Sequence, residues 1–520
     1  MLPPLPNLDE YQISPEHGFL PAELPLSRLS DPYYQPWEVI SENLQTLLSN
    51  KQIRVAVDAL PLLSTGRLRS EAEWRRAYML LGFISNSYIW GLENAADRVP
   101  KNISIPFLQI SEHLELPPVV TYAGLCLWNY RPMDAFTPVD VLENLESLIT
   151  FTGTVDEAWF YLVSVAIEAR GAPTIPLIIK AIAAARENDI VTVTECLSAF
   201  AERIADLRDL LGRMYEHCTP QAFYFRIRPF LAGSKNMAGA GLPHGVILED
   251  GSGKEEYRQY SGGSNAQSSL IQFFDIALGV EHRPTGMKKD PESDKLQGTA
   301  PPPRHNFIEE MRSYMPGPHR RFLEHLITVA NVRSYVEANT NENALAHAYD
   351  ECLRALSSFR DKHLQIVSRY IVIMSQESRR RAARAAAEAG STTVPVVQVP
   401  ESNLGLARDS AAVEAKKSGL TGTGGTQLMP FLKQSRDETM EPATGVWSKT
   451  TSKLLSFNAR KSTISPVTTP REISPSRDLG SRSCKVNDFD DVLASGPRVT
   501  GVGMAGDWEA GDDLGGICHS

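Results

Sequence analysis

"SSFRDKHLQIVSRY" occupies residues 357–370, and its spacing decides how the chain folds. Apolar side chains recur through and around it at Tyr349, Cys352, Leu356, Phe359, Ile366 and Tyr370. Steps of three and four residues are those of a helix that buries one face. His363 falls on that stripe, between Phe359 and Ile366, while Asp361, Lys362 and Arg369 fall mostly off it. An imidazole on a buried face costs free energy unless it finds a partner.

The same period runs through most of the chain. Residues 38–50 and 71–90 read as amphipathic helices, the second marked by Trp74, Tyr78, Leu81 and Ile84. "DEAWFYLVSVAIEA" (156–169) reads as an apolar helix, with Asp156 and Glu157 suited to its positive N-terminal end. Between 190 and 216 the stripe is Val193, Leu197, Phe200, Ile204, Leu207, Leu211 and Met214, and Pro220 stops it. Helices also fit 268–280, 306–314, 319–337 and 342–375. "FYFRIR" (223–228) alternates apolar and polar residues as a strand would, but it is short and Pro229 follows at once. The core is therefore expected to be all-α.

Composition bounds the remaining possibilities. The chain has 520 residues, enough for several domains, with 42% hydrophobic and 22% charged residues. A net charge of −10, without a basic stripe, argues against a nucleic-acid binder. Cys126, Cys196, Cys218, Cys352, Cys484 and Cys518 are scattered without a CxxC pair, the usage of reduced thiols in a cytosolic protein. The N-terminus, "MLPPLPNLDEYQIS", lacks the basic start and apolar run of a signal peptide. No stretch is expected to reach the ~20 apolar residues that span a bilayer. Residues 282–306 and 377–420 read as linkers, the latter opening with the Arg/Ala-rich helical extension "ESRRRAARAAAEAG". From about 436 to 520 apolar residues thin out, and a disordered tail is expected. Ser465-Pro466, Thr469-Pro470 and Ser474-Pro475 within it read either as phosphorylation sites or as chance pairs in a solvated tail.

Few residues carry recognisable chemistry. There is no Walker lysine, HExxH or GxSxG. "TGTGGT" (421–426) and "SGGSNAQSS" (261–269) read as flexible connectors or as loops whose N–H groups meet an anion. Two readings stand for His363: a core histidine bonded to a carbonyl, or an axial ligand of haem iron. The latter needs one neutral imidazole projecting from a helix into an apolar slot. Arg360, one turn earlier, suits a propionate or a carboxylate near such an iron. "QAFYFRIRPFLAG" (221–233) sets Arg226 and Arg228 among Phe223, Tyr224, Phe225 and Phe230. Guanidinium beside aromatic rings suits an aromatic molecule with a carboxylate; the alternative is a structural salt bridge.

"FYFRIRPFLAG", "YSGGSNAQSS", "FFDIALG", "MRSYMPGPHRRFLEHL", "FRDKHLQIVSRYI" and "GTGGTQLMPFLK" occur in the order and approximate spacing of the indoleamine 2,3-dioxygenase family. The resemblance runs from about Tyr122 to Lys433, is weaker before that, and is absent from the tail. The long linkers and the tail are similar to those of fungal-type members.

The resemblance implies an all-helical protein with a small N-terminal domain (1–150) and a large haem-binding domain (151–435). It implies oxidation of L-tryptophan or a related indoleamine by O₂ to N-formylkynurenine, the first step of the kynurenine route, with one haem b and a cellular reductant. It further implies a monomer, with no nucleic-acid or membrane partner. His363 matches the proximal iron ligand, and Arg360 with Asp275 a charged pair supporting the haem. Arg228 matches the arginine that grips the substrate carboxylate, and Phe223 the ring near the indole. Phe160, Ser164 and Tyr122 match pocket residues, Ser264 and Asn265 the loop over the haem, and Thr423 the Gly-rich loop that closes over substrate. Two positions depart from animal members: Tyr224 stands for a second Phe, and Asn265 for a small residue. Either is expected to alter the Michaelis constant or indole preference. A haem protein of the same fold that binds or senses oxygen without turnover is the alternative.

Overall fold

Ser70 and Glu73 close a capping box at the start of the helix Glu71–Trp90 (α1), each side chain accepting from the other residue's backbone N–H. In the computed structural model, which describes residues 2–287, 306–388, 422–423 and 427–445 and two short strands beyond, α1 is one of six helices that build the site. The others are Val155–Gly171 (α2), Ile190–Gly212 (α3), Ser269–Leu278 (α4), Asn343–Val367 (α5) and Leu428–Thr439 (α6). The expected helical segments are helical within a few residues of their expected bounds, although 38–50 divides into Gln35–Glu42 and Leu44–Ser49 and 319–337 into Gly317–Val329 and Val332–Ala338, and the fold is all-α. Strands among the described residues are two or three residues long. Arg98–Val99 runs parallel to Val246–Leu248, which pairs antiparallel with Tyr257–Arg258, and Arg131–Pro132 pairs with Leu145–Glu146. Trp508–Glu509 and Ile517–Cys518 pair within a separate unit, Trp447–Ser520.

α5 lies along α3 in the most extensive helix contact among the described residues. The stripe read from the sequence forms this seam: Leu197, Phe200, Ile204 and Leu207 on α3 and Tyr349, Cys352 and Leu356 on α5 are buried. Packing is continuous across residue 150. Phe151 stacks on Phe83 of α1 (centroids 4.4 Å apart) and on Phe230 (4.7 Å). Asn86 and Trp90 of α1 donate to the carbonyls of Phe230 and Ala232, each at 2.9 Å. Those carbonyls lie at the end of the short helix Arg228–Leu231, where no intrahelical donor is available.

Several expectations are corrected. Val155–Arg186 is apolar and long enough to cross a membrane, contrary to the reading that no stretch is. Its most apolar window is 72% buried inside the protein, so that surface is taken up by core packing. "FYFRIR", set aside as a strand because of its length and Pro229, is helical as the all-α reading expects: Phe223–Ile227 forms a π-helical turn packed on α2 and on the segment Ser368–Ile373. The helices Lys101–Leu114 and α6 were not anticipated; Pro106 interrupts the first, and polar residues mask the second. α6 also carries helix through 436 to Thr439, and Glu438 and Thr439 are buried. The linker expected from 282 begins with a buried His282. Residues 288–305, 389–421, 424–426 and most of the tail, including Ser465, Thr469 and Ser474, lie outside the described residues.

Gly233 and Gly262 cross at van der Waals limits. A Cβ on Gly262 would lie 2.1 Å from the Leu231 carbonyl, and one on Gly233 2.1 Å from that of Tyr260. This crossing holds the loop 261–265 against the chain that follows Arg228. Gly262→Ala should therefore destabilise the protein by about 1–3 kcal/mol or more, as overpacking does, measured by urea unfolding.

Candidate active site

One predominantly apolar cavity lies between α2, α4, α5 and α6, and the site residues that the family resemblance named line it. Tyr122, Phe160, Ser164, Phe223, Arg228, Ser264, Asn265, Asp275, Arg360, His363 and Thr423 all reach its wall.

Two π-helical turns, and a third above them, shape this wall. Ala123–Leu127, Phe223–Ile227 and Ser368–Ile373 each widen the helix to i→i+5 bonding. That spacing turns residues five apart toward one side, which is how Phe223 and Arg228 both face the cavity. Phe223 packs between Phe160 of α2 (4.8 Å) and Tyr370 (5.7 Å). Of the two arginines, Arg226 is exposed and Arg228 faces the cavity, its guanidinium 5.6 Å from the centre of the Tyr224 ring. Tyr224 is buried beside Arg228 and is not among the residues that line the cavity.

His363 projects from α5. It is deep in the protein yet keeps accessible surface, because that surface faces the cavity. Burial, with the Arg360 charge adding to it, lowers its pKa to about 4, so the ring is neutral at pH 7. No hydrogen bond reaches it among the described residues, which leaves the carbonyl-bonded core histidine without support. A neutral, unpartnered imidazole aimed into an apolar slot fits an axial ligand. One turn away, Arg360 grips Asp275 of α4 through two bonds of 2.7 Å and also donates to Thr439 of α6. Burial raises the Asp275 pKa, but the Arg360 and His282 charges outweigh it and the net direction is down. No group of three or more His, Cys, Asp or Glu side chains placed to hold a metal ion occurs among the described residues.

The roof is tied by backbone bonds. Gly262 N–H donates to the Thr423 carbonyl (3.1 Å), and the Thr423 hydroxyl to the Gly263 carbonyl (2.8 Å). Below it, Gln267 accepts from the Tyr122 N–H (2.9 Å) and donates to the Gly262 carbonyl (2.8 Å). Sequence reasoning missed Gln267, since a loop glutamine carries no periodic signal. It also missed Leu428, Phe431 and Leu432 of α6, which close one side of the cavity.

A family model described as indoleamine 2,3-dioxygenase matches residues 7–442. The chain belongs to the indoleamine 2,3-dioxygenase family. It is 41% identical to the indoleamine 2,3-dioxygenase of Saccharomyces cerevisiae over 85% of this chain and 94% of that one. A 6-hydroxytryptophan 2,3-dioxygenase of Fusarium equiseti is 37% identical over 84% of this chain and 97% of its own length. Indoleamine 2,3-dioxygenase 2 of Homo sapiens is 31% identical over 84% and 95%. The chain is thus a dioxygenase, and the fungal resemblance agrees with the higher identities.

Behind the wall formed by Tyr122 and Ser268 sits Glu168, which accepts from both hydroxyls at 3.0 and 2.6 Å. Burial raises its pKa from 4.5 to about 7, against the opposing effect of those two bonds. The unfolded chain therefore sheds this proton at lower pH than the folded one, and stability falls as pH rises from about 4.5 to 7. Glu168→Gln should remove that fall, worth on the order of 2 kcal/mol between pH 5 and pH 7, read from urea unfolding of wild type and variant at the two pH values.

Proposed function

We propose that this indoleamine 2,3-dioxygenase binds one b-type haem through His363 and converts L-tryptophan, or a related indoleamine, to N-formylkynurenine with O₂. The observation that carries the reading is the neutral, unpartnered His363 facing the cavity that also holds Arg228. Bound there, haem supplies the site for O₂ and the oxidising chemistry.

The chain's own part is to bind, orient and keep out water. Arg228 offers a planar fork to the substrate carboxylate, and the Tyr224 ring behind it restrains the guanidinium. Phe223 and Phe160, packed on each other, form one aromatic wall of the indole space, with Ser164 and Tyr122 setting its polar edge. Ser264, Asn265 and Thr423 cover it, and Asn265 is positioned to meet the substrate amino group or to narrow the entry. Arg360 and Asp275 support the haem from the His363 side. His363 is the one histidine among the described lining residues. The relatives' names lend no support to an oxygen carrier or sensor, and such a protein has no use for a carboxylate clamp. The same reading includes a cellular reductant, a monomer, entry into the kynurenine route and a cytosolic location, supported by four buried, unpaired cysteines.

His363→Ala should lose the Soret band after haem reconstitution while far-ultraviolet circular dichroism stays helical; normal haem loading would overturn the ligand assignment. Arg228→Ala should keep haem and lose tens to thousands of fold in kcat/KM for L-tryptophan, the about 2–5 kcal/mol of a truncated carboxylate contact. Unchanged kinetics would move the clamp elsewhere.

A further inference from the structure

His282 follows α4 by four residues and is buried between two carboxylates from different elements. Its Nε2 lies 3.1 Å from Asp275 Oδ2, and its Nδ1 2.7 Å from Glu438 Oε2 of α6. With a carboxylate at each ring nitrogen, only the imidazolium can donate both hydrogen bonds. Asp275 in turn holds Arg360 in a fork, and Arg360, Asp275 and His363 line the same cavity. Glu438 also accepts from the Arg283 N–H (3.1 Å) and from Gln434 (2.8 Å), so α6 is fastened to His282 at this point.

We propose that His282 is a positioning residue for the haem: as an imidazolium clamped between Asp275 and Glu438, it fixes the carboxylate that holds Arg360 and binds the cavity wall of α6 to that pair. This rests on the reading that His363 ligates the iron. Loss of one proton leaves two buried carboxylates with one cation fewer between them, so Asp275 and Glu438 repel and the fork on Arg360 loosens. The charged groups facing His282 are Asp275 from α4, Glu438 from α6 and Arg360 from α5, with Arg283 alongside. Burial alone lowers the His282 pKa, but the Asp275 charge and the bonds to Asp275 and Glu438 outweigh it, and the net direction is up. An outer polar groove, lined by His282, Asp275 and Arg312, gives the ring a route to solvent protons without unfolding. A histidine raised above its unfolded value of about 6.5 contributes fully below that pH, and its contribution is lost as pH rises through the folded value.

The experiment measures haem release from the full-length holoprotein to an excess of an apoglobin acceptor, by the Soret band, between pH 6 and 9. Wild-type release should accelerate as pH rises above about 6.5. His282→Gln should release haem about 10–100-fold faster at low pH, the usual effect of losing an outer partner, and show little further acceleration. Glu438→Gln, which keeps the histidine but removes one carboxylate, should shift the wild-type acceleration to lower pH. A purely structural role would raise release at every pH and leave the slope unchanged. The inference is overturned if both variants keep the wild-type pH profile. His363→Ala separates the two claims: if it holds haem as wild type does, the ligand reading falls and this inference with it. If it loses haem while the other two variants match wild type, only the role of His282 is wrong.

Discussion

The two 2.7 Å bonds between Arg360 and Asp275 are the constraint on which the site depends. Both side chains are almost wholly buried, so the pair persists only because its geometry is good and its remaining atoms are satisfied. Arg360 is on α5, Asp275 on α4, and Thr439, which accepts from the same guanidinium, on α6. Three helices far apart in sequence are thereby registered around one charge, and each contributes to the cavity that His363 faces. α6 is further tied to α5 from Arg436 to Asp361, and the chain just beyond it from Thr444 to Asp350. A polar helix with few core residues is in this way held to an apolar cavity.

Local irregularity does the complementary work. Regular α-helix presents one face every three or four residues, which suits the α3–α5 seam but not a pocket that must show aromatic and charged groups together. The π-turns at Ala123–Leu127, Phe223–Ile227 and Ser368–Ile373 all border the cavity, and their wider turn places neighbours such as Phe223 and Arg228 on its wall. The close glycine crossing at 233 and 262 brings the roof loop down onto the same segment. Shape comes from these departures, and rigidity from the regular helices behind them.

Much of this was legible in the residues, for reasons that differ by position. The α5 stripe was clear because seven turns of helix repeat one period, and His363 stood out as the polar residue on it. Arg228 was visible as a charge among aromatic rings, although which of Arg226 and Arg228 turns inward depended on the π-turn and had no signature in spacing. The resemblance to dioxygenases named every lining candidate. His282 and Glu438 were not found, since one lies in a Pro- and Gly-rich stretch and the other in a polar one, and neither has meaning until the two meet.

By itself the sequence determined the helical class and the buried faces of the long helices, and it marked His363 as a polar residue on one of those faces, because these follow from local period and residue chemistry. It also determined the family, through ordered motifs. Tertiary structure alone decided that Val155–Arg186 is taken up by the core and that Glu438 and Thr439 join the polar network around Asp275 and Arg360. Those outcomes depend on contacts between segments up to 163 positions apart (Asp275 and Glu438, both bound to His282), and no local pattern encodes a partner at that distance.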